Sequence, residues 1–184
     1  FMDRVPEDVV VLLDEAYWEY NDAPDTPDSV EEYTRYPNLL GVRTFSKAYG
    51  LAGLRVGYAI ADPEVITALG KVHVPFSVSS VAQAAALASL DAGDLLLART
   101  DAVVAERARV TARLRDAGYR VPDSQANFVW LDLGAASMDF ARACVDAGVV
   151  VRPFDGDGVR VTVTNAAEDD VFLRFTEGWD GPRS

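Results

Sequence analysis

The chain has 184 residues, 49% of them hydrophobic, with a single cysteine and a formal charge of −12. That length and apolar content suffice for one or two domains with a buried core and exclude a disordered chain. The excess negative charge excludes a nucleic-acid or anionic-membrane surface, so any anion the chain binds needs a local cationic device.

Cys144 sits in the helical pattern Phe140-Ala141-Arg142-Ala143-Cys144-Val145. Alone, it rules out an internal disulfide, suggests a reducing compartment and reads as a small buried apolar residue. No run of about 18 apolar residues occurs, and the amino terminus lacks the layout of a signal peptide, so a cytoplasmic location is expected. The opening Phe1-Met2-Asp3-Arg4-Val5-Pro6 enters a strand within a few residues, as if the sequence were entered in its middle.

Residues 9–13 form a continuous Val/Leu run closed by Asp14-Glu15, the pattern of a parallel strand buried on both faces. Functional groups of open α/β sheets lie at such carboxyl ends. After a segment rich in Asp, Pro, Thr and Tyr (21–37), residues 39–45 read as a second strand that delivers Ser46-Lys47. Gly50-Leu51-Ala52-Gly53-Leu54-Arg55 is a small-residue turn before a third strand, 56–60. Asp62-Pro63 then opens a helix as cap and first turn.

Segments 79–97 and 101–117 show helical spacing, the second carrying arginines at 107, 109, 113 and 115. In such acidic surroundings these arginines read as a solvated face. From Gly118 the pattern becomes strand (127–131), helix (138–147), strand (149–152), strand (159–163) and a final helix near Glu168. The expected organisation is a sheet-bearing part at 1–75, an interdomain helix at 76–105 and a small α+β domain at 106–184.

Lys47 and Lys71 are the only lysines. Lys47 follows an apolar strand, where an unpaired buried ammonium would be costly. Its surroundings, Thr44-Phe45-Ser46-Lys47-Ala48-Tyr49-Gly50-Leu51-Ala52-Gly53-Leu54-Arg55-Val56-Gly57-Tyr58, resemble the Schiff-base segment of fold-type I aminotransferases, which use pyridoxal 5'-phosphate. Asp14-Glu15-Ala16-Tyr17, 33 residues upstream of Lys47, resembles the acidic strand end of the same enzymes.

The likeness is to the histidinol-phosphate aminotransferase family and its aromatic (phenylalanine) members. It continues through Val74-Pro75-Phe76, Ser124-Gln125-Ala126-Asn127-Phe128-Val129-Trp130, Gly148-Val149-Val150-Val151-Arg152-Pro153-Phe154 and Val159-Arg160-Val161-Thr162-Val163. It implies an α/β fold: part of the large-domain, mainly parallel sheet plus a carboxyl-terminal α+β small domain.

The resemblance also implies roles. Lys47 is expected to form the Schiff base with the cofactor and then to move the substrate proton. Asp14 is expected at the pyridine nitrogen, and Tyr17 at the ring's phenolic oxygen. Ser46 and Arg55 correspond to phosphate ligands, which would supply the cationic device the net charge demands. Arg160 matches the arginine that grips the substrate α-carboxylate, while Arg152 and Asn127 occupy small-domain positions that face the substrate in relatives. His73, the only histidine, matches no catalytic position and has no second ligand at metal spacing, so it reads as structural and no metal is expected.

Relatives begin well before the Asp14 strand, so the resemblance implies a missing amino-terminal half and an exposed sheet edge where it would pack. A homodimer is implied, with a partner tyrosine at the phosphate. The expected reaction moves an amino group between an aromatic amino acid, or histidinol phosphate, and 2-oxoglutarate. The alternatives are a decarboxylase of the threonine-phosphate type and a non-catalytic half that needs its complement.

Overall fold

A computed structural model describes residues 1–183. The chain divides into two compact units, residues 1–97 and 98–184, so the division falls at Leu97 and Ala98, inside the helical region expected between the domains.

The first unit is built on a three-stranded sheet in the order β1 (Val11–Asp14), β2 (Leu39–Thr44), β3 (Gly57–Ala61). β1 runs parallel to β2 with Asp14 opposite Val42, and β3 is antiparallel to β2 with Gly57 opposite Thr44. Asp14 and Thr44 therefore end their parallel strands at the same end of the sheet. Gly57 permits this pairing, because a Cβ there would lie 2.7 Å from the Arg43 carbonyl oxygen.

Between β1 and β2, a single helical turn, α1 (Ser29–Glu32), is capped by Asp28, whose carboxylate accepts the Val30 N–H at 2.7 Å. α2 (Pro63–Val72) starts as expected, with Asp62 accepting the Glu64 N–H and Pro63 in the first turn. α3 (Ser80–Asp91) is capped by Ser79 and buries Ala82 and Ala86 against Phe45 and Val56. That small core pins the segment between β2 and β3, with Tyr49, Leu51 and Leu54 packed on its rim.

The first unit departs from the sequence pattern at β1 and at the break after α3. β1 is not buried on both faces: Val9 and Val10 lie before it, and Leu12 is 58% exposed, because no described residue of the first unit covers that side of the sheet. The break expected between residues 97 and 101 comes earlier. α3 ends at Asp91, and α4 (Gly93–Asp116) begins at Gly93 with Asp94 in its first turn, where a carboxylate suits the helix dipole.

The second unit folds the remainder of α4 with an antiparallel sheet, in the order β4 (Phe128–Leu131), β6 (Gly158–Thr162), β5 (Arg152–Phe154), and two further helices, α5 (Ser137–Asp146) and α6 (Ala166–Glu177). Alternate strand residues fill its core: Val129, Leu131, Val159 and Val161 pack with Val110, Leu114, Phe140, Phe172 and Leu173. Phe140 is fully buried and meets the rings of Phe172, Phe175 and Trp179 edge-on. Burying each such side chain contributes about 1.5–3 kcal/mol.

The strand expected at 149–152 begins instead at Arg152. Gly148 takes φ 78° and the Val149 N–H returns to the Cys144 carbonyl at 2.8 Å, so residues 149–151 complete the turn off α5 before pairing starts. Of the arginines at 107, 109, 113 and 115, the last two are exposed as a solvated face would be, yet all four are engaged with other segments. Arg107 is 5% exposed and donates to the Ala126 carbonyl at 2.9 Å; Arg109 bridges Glu106 and Asp170; Arg113 pairs with Glu177; Arg115 donates to the Val121 carbonyl. They bind α4 to α6 and to the segment before β4.

Candidate active site

The carboxyl ends of β1 and β2 border an open cavity of about 250 Å³ lined by Asp14, Ala16, Val42, Arg43, Thr44, Ser46, Arg55, Val56 and Gly57. Three residues expected in the site, Asp14, Ser46 and Arg55, thus converge on one space. A carboxylate enters from β1, a hydroxyl from the second residue after β2, and a guanidinium from the turn before β3.

Asp14 is the last residue of β1, and its Oδ1 accepts the Ala16 N–H at 3.0 Å, which folds the chain sharply after the strand. The Ser46 N–H is tied to Thr44 Oγ1 at 3.0 Å. Arg55 is held in the left-handed region at φ 55° and donates to the Ala52 carbonyl at 2.6 Å. For a residue with a Cβ this conformation costs of order 1–3 kcal/mol, a strain typical of ligand-clamping positions. No carboxylate pairs with Arg55 among the described residues, so the rest of its donor fork faces no competitor.

Lys47 and Tyr17 are not among the lining residues, although each adjoins one, Ser46 and Ala16. Lys47 Nζ lies 5.4 Å from the centroid of the Tyr17 ring. Lys47 is exposed, so the burial cost expected for it does not arise in this chain.

Arg43 lines the cavity and escaped the sequence reading. A charged residue directly after the apolar run Leu39-Leu40-Gly41-Val42, still within the strand, was the available signal. Its Nε donates to Glu15 at 2.9 Å and its Nη2 to Asp28 at 2.6 Å, with the guanidinium 4.6 Å above the Trp18 ring. Burial works against its charge, but the Glu15 hydrogen bond and the two carboxylates outweigh burial and raise its pKa above the ordinary value.

In the second unit, Arg160 lies opposite both Trp130 and Arg152, which puts all three side chains on one face of the sheet. The Arg160 guanidinium sits 5.3 Å above the Phe128 ring and that of Arg152 is 5.4 Å from the Phe154 ring; Phe154 also packs on Trp130 at 5.4 Å. The aromatic rings line a surface with two guanidinium groups, neither in an ion pair among the described residues. Asn127 precedes β4 and its carbonyl accepts the Val163 N–H at 2.9 Å, fixing its backbone beside that face. His73 is exposed at the end of α2, within 3.2 Å of the Ser77 hydroxyl.

The donor set fits pyridoxal phosphate. The carboxylate of Asp14 suits a protonated ring nitrogen, and the Ser46 hydroxyl and Arg55 guanidinium suit a phosphate, with a lysine next to Ser46.

Comparison with known proteins agrees. The aminotransferase class I and II family model matches residues 1–175. Relatives include an aromatic amino acid aminotransferase of Mycobacteroides abscessus, 59% identical over 179 residues, which covers 97% of this chain and 51% of that protein. Another, of the same description, from Mycobacterium sp. (strain KMS), is 56% identical over 181 residues, or 98% of this chain and 51% of that protein. Among solved structures, histidinol-phosphate aminotransferase from Sinorhizobium meliloti in complex with pyridoxal-5'-phosphate superposes with a TM-score of 0.80 at 33% identity, covering 95% of this chain and 49% of that one. The chain thus spans about half the length of the relatives it matches. With its fold, its strand-end residues and 175 matched positions in accord, the chain belongs to the aminotransferase class I and II family.

Proposed function

We propose that this chain is the carboxyl-terminal half of a pyridoxal-phosphate-dependent aminotransferase that moves an amino group between an aromatic amino acid and 2-oxoglutarate. The convergence of Asp14, Ser46 and Arg55 on one cavity, with Lys47 beside Ser46, carries the reading. The description of the relatives at 56–59% identity supports the aromatic substrate over histidinol phosphate.

Bound pyridoxal phosphate supplies an electron sink for the substrate. Asp14 holds a proton on the ring nitrogen, because a carboxylate beside it favours the charged form. Tyr17 donates from its hydroxyl to the ring's phenolic oxygen. Ser46 and Arg55 bind the phosphate, Arg55 as a bidentate fork. Lys47 would hold the cofactor through Nζ, and its amine would supply the base that moves the substrate Cα proton. Arg160 takes the substrate α-carboxylate, and Arg152 and Asn127 meet its side chain, with Trp130 and Phe154 offering the apolar surface an aromatic ring needs.

The exposed Leu12, Val72, Val74 and Phe76, the last 98% exposed, support an amino-terminal half that packs against the first unit. A homodimer in the cytoplasm completes the proposal. The test is turnover of the full-length protein with phenylalanine, histidinol phosphate or threonine phosphate as donor, with and without 2-oxoglutarate. Glutamate formation with phenylalanine is expected. Carbon dioxide release without 2-oxoglutarate would favour the decarboxylase, and turnover by the isolated chain would exclude a non-catalytic half.

A further inference from the structure

Successive strand residues point to opposite sides of a sheet, so Glu15 projects away from the cavity that Asp14 lines. Glu15 is 7% exposed and fully engaged. Its Oε1 accepts the Ser29 N–H at 2.9 Å, and its Oε2 accepts both the Ser29 hydroxyl and Arg43 Nε. Ser29 is fully buried, and Gly41 makes room for it, since a Cβ at Gly41 would overlap the Ser29 side chain.

Asp28, beside Ser29, takes the other end of the Arg43 guanidinium, and Trp18 covers its face. The Tyr58 hydroxyl and the Glu19 carboxylate also act on Arg43 from β3 and from the turn after β1. The network joins the end of β1, that turn, α1 and β2. Arg43 nonetheless lines the cavity together with Asp14 and Arg55.

We infer that Glu15, with Asp28 and Ser29, is a positioning residue that holds the Arg43 guanidinium away from the cofactor, so that it competes neither with the ring nitrogen for Asp14 nor with Arg55 for the phosphate. This rests on the cofactor reading above. Removing the Glu15 charge leaves Arg43 held by Asp28 alone among its two carboxylates, so more of its positive charge is uncompensated beside the cavity, which disfavours protonated, cationic forms of the bound cofactor. Removing Arg43 leaves an uncompensated carboxylate, which favours them. The two changes therefore have opposite signs, which a merely structural role would not produce.

The experiment follows the visible absorption of cofactor bound to the full-length protein as pH is varied, alongside thermal unfolding. Glu15→Gln is expected to lower the midpoint of the spectral transition by about one pH unit and Arg43→Gln to raise it by about as much. Glu15→Asp, which keeps the charge, should restore most of the wild-type midpoint. Leu173→Ala, in the core of the second unit, should lose stability and leave the midpoint in place. An unchanged midpoint in Glu15→Gln despite a lower unfolding temperature would overturn the inference. Should Glu15→Gln not fold, Arg43→Gln decides alone: an upward shift supports the inference and no shift overturns it. A wild-type protein with no band of bound cofactor would remove the cofactor reading itself, and this inference with it.

Discussion

Lys47 Nζ stands 5.4 Å from the centroid of the Tyr17 ring, so the candidate anchor and the phenol expected at the cofactor oxygen face each other although they are 30 positions apart in the sequence. The parallel pairing of β1 with β2, which sets Asp14 opposite Val42, makes that proximity possible. Replacing Tyr17 by Phe keeps the ring and removes only the hydroxyl. Losing one hydrogen bond to a charged group corresponds to about 10- to 100-fold in rate, and kcat/KM of the full-length enzyme should fall by that much with little change in unfolding temperature.

Asp14→Asn leaves an oxygen for the Ala16 N–H, so the turn after β1 should survive. The ring nitrogen loses its carboxylate. We expect kcat to fall by about 100-fold or more, with unaltered circular dichroism; steady-state kinetics beside the spectrum checks both.

The arginine surface of the second unit predicts a division of labour. Arg160→Lys replaces a bidentate fork by a point charge, so KM for both amino and oxo acids should rise about 10-fold or more. Arg152→Lys should alter KM for substrates with an acidic side chain, such as 2-oxoglutarate, more than for phenylalanine. Equal effects on both substrates would contradict the proposed placement of Arg152.

Asp169 gives the second unit a pH dependence. Burial, with the Glu106 carboxylate adding to it, raises its pKa from 3.8 to about 6, against the opposing hydrogen bond from the Thr164 N–H. The folded state therefore binds more protons than the unfolded state between these values, and stability falls as pH rises through that window. Asp169→Asn keeps an acceptor for Thr164 and should be more stable at pH 7.5, by about 1 kcal/mol after solvent screening, with a flatter profile from pH 4 to 6. Urea unfolding at several pH values measures this.

Gly158 admits no side chain. A Cβ there would overlap the Leu131 carbonyl and approach Trp130 Cζ2 to 2.6 Å. Gly158→Ala should destabilise the second unit by about 1–3 kcal/mol and change Trp130 fluorescence, because either the β4–β6 pairing or the indole must move.

Local signals carried much of this fold and site. The apolar run ending in Asp14, the Ser46-Lys47 pair after Leu39-Leu40-Gly41-Val42 and the Asp62-Pro63 helix start are contiguous, and each was legible where it lies. What escaped depends on partners distant in sequence. Arg107 reads as one more polar residue on α4, and only the arrival of Ala126 buries it. The Glu15 network closes over 14 residues to Ser29 and 28 to Arg43, separations no periodicity reports. The exposure of Leu12 followed from what covers β1, which strand composition alone does not specify.

Lys47 is the residue proposed to carry the cofactor. Full-length protein incubated with pyridoxal phosphate, reduced with borohydride and digested should yield a single phosphopyridoxyl peptide containing Lys47. Modification at Lys71 instead, or none in a folded protein, would contradict the account.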